Sequence, residues 1–379
     1  VRVDLNVPVT PHGHITDDTR VRAVVPTIQK IRQDGGAVVL VSHWGRPRGY
    51  EARYSLQHLV PSLTQHLGTH VTFAPHCIGV DTAAQVARLS PGQVLLLENV
   101  RFHAEEAAGD EAFAQALAAE TTVYVNDAYA TDHRAHASTT RVASHFTDRL
   151  AGYLIQQELS SAHKVLHHPR RPVTAVIGGS KVSDKIQPIE KLLAHVDYLL
   201  VGGGVANTFW QAMGGALGAS LVEHDQVPLA RKLIQAAAQH ATKLILPTDV
   251  AIAPAALADS TPKVVAGGAV PAGEQALDLG PAAQQQFADV IQASGTLLWS
   301  GPVGVFEQGP FRRGTQAIAA AIAAATARGA FSLIGGGDSA AAVRQLGYGQ
   351  QVSHISTGGS ALLAYLGGGA LPAIQTLEG

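Results

Sequence analysis

The sequence predicts an α/β protein with two doubly wound domains, each built around a parallel sheet, and three observations support this class. Short apolar runs typical of buried strands alternate with segments of helical spacing along the chain. Several of these runs end in glycine, as parallel strands often do where the next loop turns tightly or approaches a ligand. The length of 379 residues exceeds what a single hydrophobic core usually organises.

The composition narrows the class of protein. Hydrophobic residues make up 46% of the chain and charged residues 15%, which is typical of a compact folded protein and excludes disorder. The net charge of −2, without basic stretches interleaved with aromatics, argues against nucleic-acid binding. Apolar stretches such as 318–325 are too short to span a membrane. The single cysteine, Cys77, excludes an intramolecular disulfide framework and predicts a reducing cytoplasmic location.

The first half of the chain has the pattern of one α/β domain. It begins directly in a strand, VRVDL, so we expect further residues to precede Val1. Residues 19–32 place Val21, Val24 and Ile28 on one side of a helix. The remaining predicted elements are the strands AVVLVS, HVTFAP, QVLLL and TVYVND and the helices 55–67 and 111–119. This alternation implies a parallel sheet with right-handed crossovers.

A helix over 154–166 is followed by His-His-Pro-Arg-Arg-Pro, and this combination predicts a domain boundary. We therefore predict one α/β domain over 1–153 and a second over 169–355, joined by a helical segment over 154–168. The strands predicted for the second domain are Val173–Ile177, Tyr198–Val201, Lys243–Leu246, Thr296–Trp299 and Phe331–Ile334.

Charged and polar side chains of the first domain follow the predicted strands, where open α/β sheets place their ligands. They are Asp4, Asn6, Arg20, His43, Arg46, Arg101, His133, Arg134 and His136. A single arginine would be read as a surface charge. Four arginines after different strands favour a small, multiply charged anion, because each guanidinium can bind a carboxylate or phosphate bidentately. The natural candidate is a phosphorylated acid.

The second domain carries a predicted nucleotide site. The turn GGSKVSDK, residues 178–185, holds two of the chain's eight lysines close to a predicted helix start, so its charges could converge on phosphate. Glu307 could accept from ribose hydroxyls, and Asp338 could bind Mg²⁺ or cap a helix. The chain has no Walker P-loop and no dinucleotide fingerprint in context.

Ten segments together resemble the signature segments of phosphoglycerate kinases, in the same order and over the whole chain. They are RVDLNVP, DDTR, SHWGRP, LLENVRFHAEE, HRAHAST, GGSKVSDK, VGGGVANTF, GPVGVFE, GGGDS and HISTGG. The resemblance implies two Rossmann-like domains joined by a hinge helix with a ligand cleft between them. It also implies a return of residues 356–379 onto the first domain, a monomeric state, and Mg²⁺ with ATP or ADP as co-substrate.

By the same resemblance, 3-phosphoglycerate or 1,3-bisphosphoglycerate is bound by Asp4, Asn6, Arg20, His43, Arg46, Arg101, Arg134 and His136. The nucleotide is bound by Gly179, Lys181, Lys185, Gly203, Gly204, Glu307, Gly335, Gly336, Gly337, Asp338 and Ser339. Asp338 is the Mg²⁺ ligand. The residues implied to act on the transferring group are Arg20, Lys181, Gly336 and Gly359. In-line transfer requires these groups to neutralise spreading charge, and it requires the two domains to close.

The sequence departs from the family at four positions. Ser300 replaces the usual asparagine, Ser360 the usual glycine, Ala364 an acidic residue and Asp132 a small residue. We expect an active kinase, with two alternatives: a catalytically weakened paralogue that only binds phospho-ligands or nucleotides, and a kinase for another small acid. The four arginines favour an acid that already bears phosphate.

Overall fold

The computed structural model describes residues 1–10, 13–183 and 185–378. The chain divides into two compact units. The first unit comprises Val1–Leu159 with Ala370–Gly379, and the second comprises Ser160–Gly369. The boundary therefore falls inside the helix that the sequence predicts as the hinge.

The first unit contains parallel strands and the helices that connect them. The strands are β1 (Arg2–Val3), β2 (Val38–Leu40), β3 (Val71–Ala74), β4 (Val94–Leu97), β5 (Val123–Asp127) and β6 (Asp148–Ala151). The helices are α1 (Thr19–Gln33), α2 (Val60–Leu67), α3 (Val80–Ala87), α4 (Ala104–Ala108), α5 (Glu111–Ala118) and α6 (Tyr153–Leu166), whose C-terminal half enters the second unit. All strand pairs are parallel, in the groups β3-β4-β2 and β1-β5-β6. A parallel bridge between Arg2 and Val41 joins the two groups.

Helix α1 confirms the predicted apolar face, since Val21, Val24 and Ile28 are fully buried. The predicted helix 55–67 is instead a 3-10 turn over Leu56–Leu59 followed by α2. Pro61 lies in the first turn of α2, where its missing N–H costs no intrahelical bond. The helix therefore begins later than its apolar spacing predicts.

The second unit is built on a six-stranded parallel sheet in the order β10-β8-β7-β15-β16-β17. These strands are β7 (Val173–Ile177), β8 (Tyr198–Val201), β10 (Lys243–Ile245), β15 (Thr296–Ser300), β16 (Phe331–Gly335) and β17 (His354–Ile355). The helices are α7 (Ile186–Leu192), α8 (Gly203–Ala212), α9 (Val227–Gln239), α10 (Pro281–Gln292), α11 (Arg313–Ala327), α12 (Gly337–Gln345) and α13 (Gly359–Leu366). The α/β fold with parallel sheets is confirmed.

A smaller set of strands in the second unit was not predicted. The strands are β9 (Ala216–Leu217), β11 (Asp249–Ala253), β12 (Lys263–Ala266), β13 (Ala269–Val270) and β14 (Gln275–Leu279). Strand β11 pairs antiparallel with β12 and β14, while β13 pairs parallel with β9. Strand β12 has no buried residue and β14 is buried only over its last three residues, so neither has the continuous buried run that marks the parallel strands. Strand β11 is buried from Val250 to Ala253.

The return of the C-terminal segment is shorter than predicted. Residues 356–369 group with the second unit, because α13 packs on α7 and β16 with Leu362 and Leu366 buried. The last helix, α14 (Pro372–Gln375), belongs to the first unit, where Ala373 N–H donates to the Asp132 carbonyl at 3.3 Å. No helix in the described chain is long and apolar enough to cross a membrane.

Candidate active site

The predicted acid-binding residues lie at the carboxyl ends of the parallel strands in the first unit. Asp4 and Asn6 follow β1, and His43 follows β2. Arg101 lies in the 3-10 turn Val100–Phe102 after β4. The loop after β5 carries Arg134 and His136, the β2 loop also carries Arg46, and Arg20 is in the first turn of α1. Because the joined strands are parallel, these ends meet at one edge of the sheet.

Asp4 anchors Arg20. The Arg20 Nη1 atom lies 3.2 Å from Asp4 Oδ2 and donates to the Asn6 carbonyl at 2.7 Å. Asp4 Oδ1 accepts the N–H of Asn6 at 3.0 Å. Asp4 is almost fully buried, so its carboxylate requires this ion pair and hydrogen bond. The side chain of Asn6 in turn accepts the Gly45 N–H at 2.9 Å, which ties the β1 loop to the β2 loop.

Arg2 lies beneath the same edge and was not predicted as a site residue. Its guanidinium is fully buried, donates to Ser138 Oγ at 2.8 Å and to the Val3 carbonyl, and lies 3.2 Å from His43 Nδ1. The sequence did contain a signal: Arg2 and Asp4 are two residues apart in an apolar strand segment, so both side chains point to one face.

Glu106 holds the loop that carries His136. Its carboxylate accepts the Ser138 N–H at 2.8 Å and the Ser138 hydroxyl at 2.7 Å, and its carbonyl accepts the Ala137 N–H at 2.9 Å. His136 Nδ1 lies 3.3 Å from Arg101 Nη2 and 3.9 Å from Glu106 Oε1. Glu106 is fully buried, and it is therefore a fixed counter-charge behind the arginines.

Burial and the neighbouring cations lower the pKa of His43 and His136. Burial, followed by Arg2, Arg101 and Arg20, holds the pKa of His43 well below its ordinary value. Burial and the neighbouring guanidinium groups, Arg101 first, lower the pKa of His136 to about 4. Both imidazoles are therefore neutral near pH 7.

Arg101 has the environment expected of a side chain that binds an anion. Burial lowers its pKa, and repulsion from Arg2, Arg134 and Arg46 adds to the effect against the attraction of Glu106. Its Nε atom is buried without a hydrogen-bond partner among the described residues. An anion bound by the exposed part of this guanidinium would offset the repulsion among the neighbouring cations.

Asp132, one of the departures from the family pattern, points away from solvent. Its Oδ1 accepts the side-chain amide of Asn126 at 2.9 Å, and the residue is fully buried. Burial raises its pKa to about 7. Near neutral pH the carboxyl is thus partly protonated, which weakens the negative charge expected beside His133 and Arg134.

In the second unit, the glycine turns after β7, β8, β15 and β16 lie side by side, because these strands are neighbours in the sheet. Gly178 N–H donates to the Ser300 carbonyl at 2.9 Å, and Gly179 N–H to the Pro302 carbonyl at 2.7 Å. A Cβ on Gly178 would overlap the Pro302 carbonyl oxygen. At this position glycine permits two loops to touch, which is a packing role.

The same packing involves the start of α8 and of α13. A Cβ on Gly204 would lie 2.5 Å from the Ser180 carbonyl oxygen, and one on Gly203 would lie 2.8 Å from that of Gly179. A Cβ on Gly359 would lie 2.5 Å from the Gly336 Cα. Gly336 itself has φ +93°, a conformation that favours glycine. The turns therefore form one contiguous backbone surface.

Lys181 and Lys185 flank the turn after β7. Lys181 is exposed, whereas Lys185 is half-buried and its Nζ donates to the Ser300 hydroxyl at 2.7 Å. Ser300 is fully buried at the end of β15, so the side chain at this departure from the family pattern contacts one of the two lysines predicted to bind phosphate. The carboxylate of Glu223, which was not predicted, accepts hydrogen bonds from the backbone between the two lysines.

Asp338 and Ser339 lie in the first turn of α12, which begins at Gly337 directly after Gly335 and Gly336. Asp338 is exposed, while Ser339 is fully buried and its Oγ accepts the Gly301 N–H at 2.6 Å. Glu307 is exposed in the loop between β15 and α11. The described residues contain no cluster of three or more acidic, histidine or cysteine side chains that could hold a metal. A lone exposed carboxylate fits Mg²⁺, which takes one or two carboxylates and completes its shell with phosphate oxygens and water.

Comparison with known proteins adds independent findings. The family model described as "Phosphoglycerate kinase" matches residues 1–369. "Phosphoglycerate kinase 3, cytosolic" of Arabidopsis thaliana is 48% identical over 378 residues, covering 100% of this chain and 94% of its own length. The phosphoglycerate kinase of Moorella thermoacetica is also 48% identical, with 100% and 95% covered. The solved structure of phosphoglycerate kinase from Coxiella burnetii has a TM-score of 0.88 at 38% identity, with 100% and 95% covered.

Proposed function

The chain belongs to the phosphoglycerate kinase family, and from this premise we propose how its residues share the work of phosphoryl transfer. The reaction moves a phosphoryl group reversibly between 1,3-bisphosphoglycerate with ADP and 3-phosphoglycerate with ATP. A carboxyl oxygen is the acceptor in the direction that consumes ATP. The names of the matched relatives give no support to a non-catalytic paralogue.

The acid substrate binds at the strand ends of the first unit. The observation that carries this assignment is Arg101, a partly buried guanidinium that lies among further arginines and two neutral histidines and whose Nε has no hydrogen-bond partner among the residues that the structure describes. Its phosphate would be held by guanidinium groups, chiefly Arg101, Arg134 and Arg46. Arg20, fixed by Asp4 and the Asn6 carbonyl, is positioned to meet the carboxyl group or its acyl phosphate.

The nucleotide binds on the glycine turns of the second unit. Lys181 is exposed and follows the transferring phosphoryl group, while Lys185 meets a phosphate after release from the Ser300 hydroxyl. The first turn of α12 directs unsatisfied N–H groups outward from Gly337. Gly203 and Gly204 lie on the adenine side, Glu307 accepts from the ribose, and Gly359 beside Gly336 completes the backbone surface.

Mg²⁺ would be held by Asp338 together with nucleotide phosphate oxygens, and it would supply charge neutralisation on the transferring group. The chain's own contribution is alignment and cationic stabilisation. Transfer passes through a loose, in-line transition state whose equatorial oxygens carry the charge, and Arg20 and Lys181 are the side chains assigned to it. No covalent intermediate on the protein is required.

We also propose that the chain acts as a monomer in the cytoplasm. The Arabidopsis relative is named as cytosolic, and Cys77, the single cysteine of the chain, is buried and free. Burial raises the pKa of its thiol to about 12, so the thiol is unreactive. Light scattering after size exclusion measures the oligomeric state directly.

The decisive assay couples ATP and 3-phosphoglycerate to a downstream dehydrogenase and follows NADH. We expect turnover that requires Mg²⁺ and both substrates. The matched control is Arg101→Lys, which keeps the charge but removes the guanidinium fork, and we expect it to raise the KM for 3-phosphoglycerate without changing that for ATP. Binding of both substrates without turnover would instead favour the weakened paralogue.

A further inference from the structure

We propose that Glu223 is a positioning residue of the nucleotide site: its carboxylate fixes the turn between Lys181 and Lys185 and so sets where their ammonium groups meet the phosphates. This inference rests on the proposed binding of the nucleotide by these two lysines. Glu223 itself touches neither substrate. It acts through the backbone that carries both lysines.

Three donors of the turn converge on this single side chain. Glu223 Oε2 accepts the N–H of Val182 and the N–H of Ser183, the latter at 3.0 Å. Glu223 Oε1 accepts the Ser183 hydroxyl at 2.6 Å. Glu223 lies 40 residues or more further along the chain, between α8 and α9. The contact is therefore tertiary and does not follow from the local sequence of the turn.

The turn needs an external acceptor. Lys181 and Ser183 are exposed, and α7 begins only at Ile186, so the N–H groups of Val182 and Ser183 precede the helical ladder. An ionised carboxylate that accepts backbone N–H groups makes stronger hydrogen bonds than a neutral acceptor does. The fully buried side chain of Val182 adds a second anchor. Both constraints limit the paths that Lys181 and Lys185 can take from the backbone.

Glu223 also connects this turn to α8, the second proposed nucleotide element. Its own N–H donates to Thr208 Oγ1 at 3.2 Å, and that hydroxyl lies 3.4 Å from the Gly204 carbonyl it donates to. Gly204 in turn packs against the Ser180 backbone. These contacts fix the position of the phosphate side of the proposed site relative to its adenine side.

The arrangement changes the role expected for the turn. The N–H groups of Val182 and Ser183 face a carboxylate, so they are not donors to the nucleotide phosphates. The turn contributes to phosphate binding through its two ammonium groups. Their placement then depends on the carboxylate that holds the backbone between them.

The test compares Glu223→Gln and Glu223→Ala with Asp225→Asn in the full chain. Asp225 lies in the same segment, is exposed and pairs only with the neighbouring Gln226 among the contacts of the described residues. For Glu223→Gln we expect the KM for ATP and ADP to rise on the order of tenfold, as for a lost charge-assisted hydrogen bond, and for Glu223→Ala to rise further. The KM for 3-phosphoglycerate should stay within about twofold. Amide hydrogen exchange at Val182 and Ser183 should accelerate in both variants but not in Asp225→Asn.

A graded variant separates positioning from general stability. Ser183→Ala removes one of the three hydrogen bonds and should raise the nucleotide KM by about threefold, with an unchanged melting temperature. Equal nucleotide KM values in Glu223→Gln and Asp225→Asn would overturn the inference, as would equal rises of KM for both substrates. A wild-type chain without turnover would refute the proposed function only, because calorimetric titration with Mg-ADP still measures the effect of Glu223.

Discussion

Replacing Asp132 by asparagine should stabilise the protein at neutral pH more than at acidic pH. Asp132 is fully buried, with Oδ1 bonded to Asn126 and Oδ2 without a hydrogen-bond partner among the described residues. Burial raises its pKa from 3.8 to about 7, although the Asn126 bond and the charge of Arg2 oppose the shift. The folded chain therefore keeps a proton here that the unfolded chain loses. Asparagine has the same shape and no charge to bury.

The sign of the effect follows from proton binding. Between pH 4 and pH 7 the folded state binds more protons at this site than the unfolded state, so stability falls as pH rises through this window. A difference of about three pKa units corresponds to about 4 kcal/mol above pH 7 and to less than about 2 kcal/mol near pH 5. The difference in unfolding free energy between Asp132→Asn and the wild type should therefore be about 2–3 kcal/mol larger, in favour of the variant, at pH 8 than at pH 5.

Urea denaturation of both proteins at pH 5, 6, 7 and 8, followed by far-UV circular dichroism, measures this difference. Asp148→Asn, which removes the same charge at an exposed position of the same unit, is the control. The reasoning is refuted if the difference in unfolding free energy between Asp132→Asn and wild type is the same at pH 5 and pH 8.

Three further predictions concern catalysis. Burial and the neighbouring cations lower the pKa of His136 to about 4, and a bound phosphate should raise it, so binding of 3-phosphoglycerate should take up protons from about pH 4 up to the raised pKa. Calorimetry in buffers of different ionisation enthalpy, repeated over this pH range, measures the uptake, and the same uptake in His136→Gln would contradict this origin. Ser300→Asn should raise kcat several-fold if a longer side chain at the end of β15 reaches the transferring group as well as Lys185, whereas an unchanged kcat would mean that the serine is sufficient. Since the two substrates are assigned to different units, small-angle scattering should show compaction when 3-phosphoglycerate and a non-hydrolysable ATP analogue are both bound, and no compaction would argue against closure.

The sequence predicted the main elements because their signals are local. The five strands predicted for the second unit are all present, and α1 and α6 begin within a residue of their predicted starts. Buried parallel strands have continuous apolar runs, which a linear pattern detects. Strands β12 and β14 lie at the edges of their sheet and lack a continuous buried run, so a linear pattern does not mark them. The central strand β11 does have a buried apolar run over 250–253, and the sequence reading missed it.

The arginines and histidines at the edge of the first sheet could be foreseen as a group, since parallel strands bring their carboxyl ends together. The sequence could not show which of these side chains holds another in place. Arg2 and Glu106 both bond to the Ser138 hydroxyl, which lies 136 residues from Arg2 and 32 residues from Glu106 along the chain. Such contacts depend on burial and distance between segments.

The glycine turns also separate what the sequence predicts from what tertiary packing decides. The sequence alone determined that strands end in glycine at one edge of a sheet, that two lysines stand beside one of these turns, and that the whole chain carries the signatures of one kinase family. Only the tertiary structure decided that Gly178 and Gly204 make room for neighbouring backbone, that Ser300 contacts Lys185, and that Glu223 occupies the N–H groups between the lysines. The reason is physical: strand and turn preferences act over a few residues, whereas hydrogen bonds between distant segments exist only after the chain has packed.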